Sequence, residues 1–63
     1  MTTSEEHKTL ITARLHGGGF IARLAEAALH ADPTNRRQVF NAFPQLTTAY
    51  GPGTNFYGIH EQR

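Results

Sequence analysis

Between residues 20 and 31 the apolar positions recur with a helical period: Phe20, Ile21, Leu24, Ala27, Ala28 and Ala31. They fall on one stripe of a 3.6-residue repeat. Arg23, Glu26 and His30 take the opposite face, with Glu26 and His30 one turn apart. The spacing predicts a helix that ends near Ala31, with alanines that let another helix approach closely. Upstream the apolar signal is thin. Leu10, Ile11 and Leu15 supply it, and His7 and Arg14 lie on the side of Leu10 and Ile11. A helix from about Ser4 to Leu15 is predicted there by its start instead. Thr3-Ser4-Glu5-Glu6 has the spacing of a capping box, a hydroxyl followed three residues later by a carboxylate. Glu5 and Glu6 also suit the positive end of the helix dipole.

Asp32-Pro33 restarts the chain after the second helix. Asp is a preferred N-cap and Pro a preferred first helical residue, so a third helix is predicted from Pro33 to about Phe43. Val39, Phe40 and Phe43 would form its buried face. Pro44 disfavours helical geometry at Phe43 and should break or kink the chain there. A short fourth turn from Pro44 to Tyr50 contributes Leu46 and Tyr50, and Gly51 is a natural C-cap before Pro52. The tail GPGTNFYGIHEQR is rich in glycine yet carries Phe56, Tyr57 and Ile59. A solvated tail does not normally hold such residues, so they are expected to dock on this chain or on a partner's. The expected organisation is one small all-α domain. Residues 1–16 hold helix 1, 17–31 a Gly-rich start and helix 2, 32–51 helix 3 and a short helix 4, and 52–63 the aromatic tail.

Length changes this picture. A chain of 63 residues buries only about 60% of the surface it exposes when unfolded, and such domains are stabilised by disulfides, a metal or assembly. Cysteine is absent, which removes disulfides and thiolate metal sites. A homo-oligomer is therefore expected, built through the Ala-rich second helix and the aromatic segments. Six basic against five acidic residues give a formal charge of +1. That balance carries no electrostatic footprint for duplex DNA or a membrane surface. The apolar stretches are too short to span a bilayer, and MTTSEEHK lacks the basic and apolar regions of a signal peptide. The expectation is a soluble protein of the cytoplasm.

The run GGGFIARLAEAALHADPTNRRQVFNAFPQLTTAYG resembles short, mostly uncharacterised proteins of bacteriophages and prophages. The shared elements are Gly18-Gly19-Phe20, Ala31-Asp32, Asn35, Ala42-Phe43-Pro44 and Tyr50-Gly51. The likeness covers residues 17–51 and leaves out the first helix and the aromatic tail. It implies a phage origin, hence a host cytoplasm, and a small helical fold. It brings no catalytic residues. Small phage proteins of this kind often inhibit host machinery or host defence, an association of family rather than of chemistry.

Three features invite a chemical reading. Gly17, Gly18 and Gly19 immediately precede a helix. They are either a tight connection using positive φ or bare amides at a helix start, which attract anions. No Walker or dinucleotide fingerprint accompanies them. Arg36 and Arg37 sit in the opening turns of the third helix, where the dipole disfavours cations. Either their stems lie over apolar neighbours, with the heads solvated or paired to Asp32, or the two guanidiniums await phosphate or an acidic protein surface. Tyr50, Phe56 and Tyr57 could stack on a base, fill a partner's groove, or complete an oligomer core. The four histidines, His7, His16, His30 and His60, lack ligand spacing, so no metal is expected. Ser4 is the only serine and the acids are scattered, so no triad or carboxylate pair can be assembled and no enzyme or cofactor is expected. Two functions follow. One is an oligomer that sequesters a nucleotide immune signal, with Gly17–Gly19 and Arg36/Arg37 around its phosphates and the aromatics on its bases. The other is an inhibitor that binds the surface of a host or defence protein. DNA binding ranks behind both.

Overall fold

The computed structural model describes residues 1–57, and all four helices lie within them. They are α1 (Thr3–His16), α2 (Gly18–Leu29), α3 (Pro33–Ala42) and α4 (Gln45–Tyr50). The all-α expectation holds. Among the described residues no helix is long and apolar enough to cross a membrane. Expected calls on Ile59 and His60 lie outside the described residues.

α1 starts one residue earlier than the predicted box. Thr2 and Thr3 are both followed three positions on by a glutamate, so two capping boxes overlap, and the first is used. Thr2 is extended (φ −76°, ψ 166°). Its hydroxyl accepts from the Glu5 amide at 3.1 Å, and the Glu5 carboxylate accepts from the Thr2 amide at 2.9 Å. Glu6 is thereby released from capping and turns inward, only 7% exposed.

The buried face of α1 also differs from the apolar one expected. Glu6, Thr9, Leu10, Thr12 and Ala13 are buried, whereas Leu15 is 54% exposed and Ile11 half-buried. The reason is close packing. α1 and α2 are joined through Gly17 alone, and the chain folds back on itself into a helical hairpin whose buried positions are small: Thr9, Thr12 and Ala13 on one side, Ala25 and Ala28 on the other. The Thr12 hydroxyl donates to the Lys8 carbonyl at 2.8 Å, so it enters the interface already hydrogen-bonded.

In α2 the stripe is rotated slightly from the predicted one. Ala25 and Ala28 are buried with Ile21, Leu24 and Leu29 at the margin, while Phe20 and Ala27 are exposed. The helix ends at Leu29 rather than Ala31. α3 begins as expected, with Asp32 at the N-cap and Pro33 behind it. The Asp32 carboxylate takes no backbone amide and accepts from the Asn35 side chain at 2.6 Å. Phe43 is the C-cap, Pro44 opens α4, and Gly51 caps it. Phe40 and Leu46 then supply the large side chains of a core completed by Leu10.

α2 is tied to α3 by Arg36. Its Nε donates to the Ala28 carbonyl at 3.1 Å, and its Nη2 donates to Leu29 and Ala31 carbonyls at 3.1 and 3.4 Å. The Leu29 and Ala31 carbonyls are ones the helix end leaves without a backbone donor, while that of Ala28 also accepts from the Ala31 amide at 3.1 Å. The cation that opposes the dipole of its own helix therefore sits at the negative end of the preceding one. Arg36→Ala should lower stability by about 1–3 kcal/mol, the range for losing charge-assisted bonds to buried carbonyls. The exposed neighbour should tolerate Arg37→Ala within about 0.5 kcal/mol. Urea denaturation of the two variants measures the difference; equal losses would remove Arg36 from its role as the α2 cap.

Candidate functional site

The three glycines between α1 and α2 do three different things. Gly17 is both the end of α1 and the cap of α2, and its amide donates to the Ala13 carbonyl at 2.7 Å. A Cβ there would run into the Ile21 side chain and lie 2.5 Å from the Ala13 oxygen. Gly18 has φ +77°, open to glycine at no steric cost, and nothing crowds it. Gly19 is neither crowded nor at positive φ. Hence Gly17 and Gly18 have structural reasons and Gly19 has none in the fold. The start of α2 carries no side-chain cap and no acidic residue in its first turn, so its leading amides remain available.

Aromatic rings gather around this turn. His16, the last residue of α1, stacks on Phe56 with centroids 4.7 Å apart and planes 25° from parallel. Phe56 also tilts against Tyr50 at 6.5 Å, and the Tyr50 hydroxyl donates to the His16 carbonyl at 3.4 Å. On the other side of the turn, Phe20 meets Phe43 edge to face at 5.9 Å. Tyr57 lies further back along α1, with the Lys8 ammonium 5.4 Å from its ring centroid. Phe56 and Tyr57 thus make ring contacts with their own chain. Three large apolar side chains nonetheless stay open on this end of the hairpin: Phe20 is 65% exposed, Leu15 54% and Phe56 45%.

Of the residues singled out from sequence, Gly17, Gly18, Gly19, Tyr50 and Phe56 share one neighbourhood, with Tyr57 about two turns away along α1. Arg36 and Arg37 do not join them. Arg36 is at the C-terminal end of α2 and the glycines are at its start, roughly 16 Å apart at 1.5 Å per residue. Within one chain the two elements are therefore apart, and a single anion held by both would lie across a subunit boundary. The cause is the hairpin itself, which sends the turn and the α2–α3 junction to opposite ends.

Arg37 instead lies on a second feature that sequence reasoning missed. A groove of about 510 Å³ runs beside α1, α3 and α4, with Arg37 and Glu6 both on its walls. Glu6 makes no side-chain hydrogen bond or ion pair among the described residues. The overlapping boxes at residues 2–6 were the available signal: only one glutamate could serve the cap. No group of three or more His, Asp or Glu side chains among the described residues is placed to hold a metal ion.

No family model, no curated protein and no solved structure matches the chain. The site must be argued from its own residues. A graded glycine series tests the turn. Gly17→Ala should cost about 1–3 kcal/mol through overpacking against Ile21 and Ala13, and Gly18→Ala about 1–2 kcal/mol through its positive φ. Gly19→Ala should be neutral or stabilise by up to about 1 kcal/mol by restricting the unfolded chain. Thermal melts of the three variants give the order; a Gly19→Ala loss as large as the Gly17→Ala loss would contradict this steric account.

Proposed function

We propose that the chain is a non-enzymatic binding protein that docks on another protein through the aromatic end of its α1–α2 hairpin. The supporting observation is the exposure of Leu15, Phe20 and Phe56 around one short turn, where two of the three are held by ring contacts to His16 and Phe43. Rings fixed before binding lose little side-chain entropy on contact, and buried aromatics dominate the energetics of protein interfaces. The apolar character of these three side chains suits a protein groove better than a nucleic acid. The resemblance of residues 17–51 to phage proteins supplies the class of partner: a component of the host cell, such as a defence protein, whose action the complex would block.

The competing reading, capture of a nucleotide, needs phosphate donors and stacking rings in one place. The rings and the α2 amides are together, but the guanidiniums are at the far end of that helix, and Arg36 is engaged by three carbonyls. Only a second subunit could return Arg36 or Arg37 to the turn. The surface-binding reading asks for nothing beyond one chain.

A photo-crosslinking residue at position 20, introduced into the full chain in host cells, identifies what covers the face. A single host protein should be crosslinked, and Phe20→Ser should then weaken its binding to that purified partner about thirtyfold or more, the effect of losing a hot spot worth 2 kcal/mol or more. The same substitution should barely move the melting temperature, because Phe20 is largely outside the core. A crosslink only to a second copy of the chain would make the face an assembly interface. A melting temperature raised by nucleotides, and lost in Arg37→Ala, would reinstate the sequestration reading.

A further inference from the structure

The groove on the other side of α1 contains a carboxyl group with no role in the fold. Glu6 is more than nine-tenths buried, lines the groove, and makes no side-chain hydrogen bond or ion pair among the described residues. Burying such a group without partners is unfavourable by kilocalories. Helix capping does not explain it, since Thr2 and Glu5 complete that box. A donor brought in from outside would satisfy it.

From this geometry we infer that the groove receives a basic side chain, an arginine or lysine of a partner polypeptide, with the Glu6 carboxylate as its anchor. The inference is independent of the aromatic face. Cation and carboxylate form charge-assisted hydrogen bonds, stronger than neutral ones and bidentate for a guanidinium. The walls suit the rest of such a side chain. Met1, Phe40 and Pro44 offer apolar surface along which an aliphatic stem can lie while its charged head reaches inward. The rim argues for a polypeptide rather than a free cation. Arg37 is exposed there with Asn41 beside the same groove, and a metal ion or polyamine, having no acceptor, would leave that guanidinium unanswered. A peptide would instead present a main-chain carbonyl to the guanidinium and an amide to Asn41. At about 510 Å³ the groove also has room for more than one side chain.

The test is a titration of the isotope-labelled full chain with N-acetyl-arginine N-methylamide, followed through the backbone amides. Saturable shifts should appear at Glu6, Arg37 and Asn41. The citrulline analogue, equal in shape but uncharged, should bind at least tenfold more weakly. Glu6→Gln should weaken arginine binding by tenfold or more while the spectrum stays dispersed. If that variant does not fold, Glu6→Asp keeps the charge on a shorter arm and should give an intermediate affinity. Free arginine and spermidine separate the sources, and both should bind more weakly than the blocked arginine. The inference is overturned if no probe gives saturable shifts, if citrulline binds as well as arginine, or if Glu6→Gln retains full affinity. Tighter binding of spermidine or free arginine would overturn the polypeptide source.

Discussion

The fold depends on how closely two helices approach at a single glycine. With one residue between α1 and α2, the second helix must leave the first within a Cβ's breadth of the Ala13 carbonyl and the Ile21 side chain. Only small residues can then line the contact, and Thr9, Thr12, Ala13, Ala25 and Ala28 do so. A hairpin of this kind gains more from close van der Waals contact than from large apolar area. The larger side chains are displaced to its two flanks. Leu10, Phe40 and Leu46 meet where α3 and α4 close over one side. Leu15 and Phe20 are left at the turn, more than half exposed among the described residues.

The same hairpin decides what can cooperate chemically. It places the start of α2 beside the end of α1, which brings His16 under Phe56 and Tyr50. It also carries the end of α2 away from that cluster to the α2–α3 junction, where Arg36 closes three carbonyls. The arginine thus joins two helices whose direct contact is slight compared with the hairpin's. A binding surface and a structural clamp occupy opposite ends of one helix, so a substitution at either end should leave the other largely unaffected.

Much of the architecture is legible in the sequence because it is written in caps and breaks. Asp32-Pro33, Pro44 and Gly51 each mark a boundary by backbone chemistry that tertiary context does not override, and the structure has a boundary at each. Faces were harder to read. A hydrophobicity scale ranks Leu15 and Phe20 above Thr9 and Ala25, yet the small residues are inside and the large ones outside. Only the interhelical distance decides that order, and Gly17 sets the distance through a contact four residues away on either side. The partners of Arg36 were also not legible, for a local reason. Its position opposes the dipole of α3, and the compensating charge belongs to a different helix, which a reading along one segment cannot see.

Glu6 shows how one local choice propagates to chemistry. Two threonines in a row offer two helix starts, and the chain uses the first. Had the second been used, Glu6 would have bent back to the backbone as a surface cap, and Glu5 would have stood at the second helical position. With Thr2 capping, the carboxylate of Glu5 closes the box and that of Glu6 is left on the inward side of the first turn, beside α3 and α4. The helix start is therefore more than a terminus. It leaves a carboxyl group lining a groove that Arg37 also lines, so a buried negative group and an exposed positive one share it. A partner that matched this gradient would have to carry its cation at the tip and its acceptors at the base, which is the arrangement of a basic side chain on a peptide.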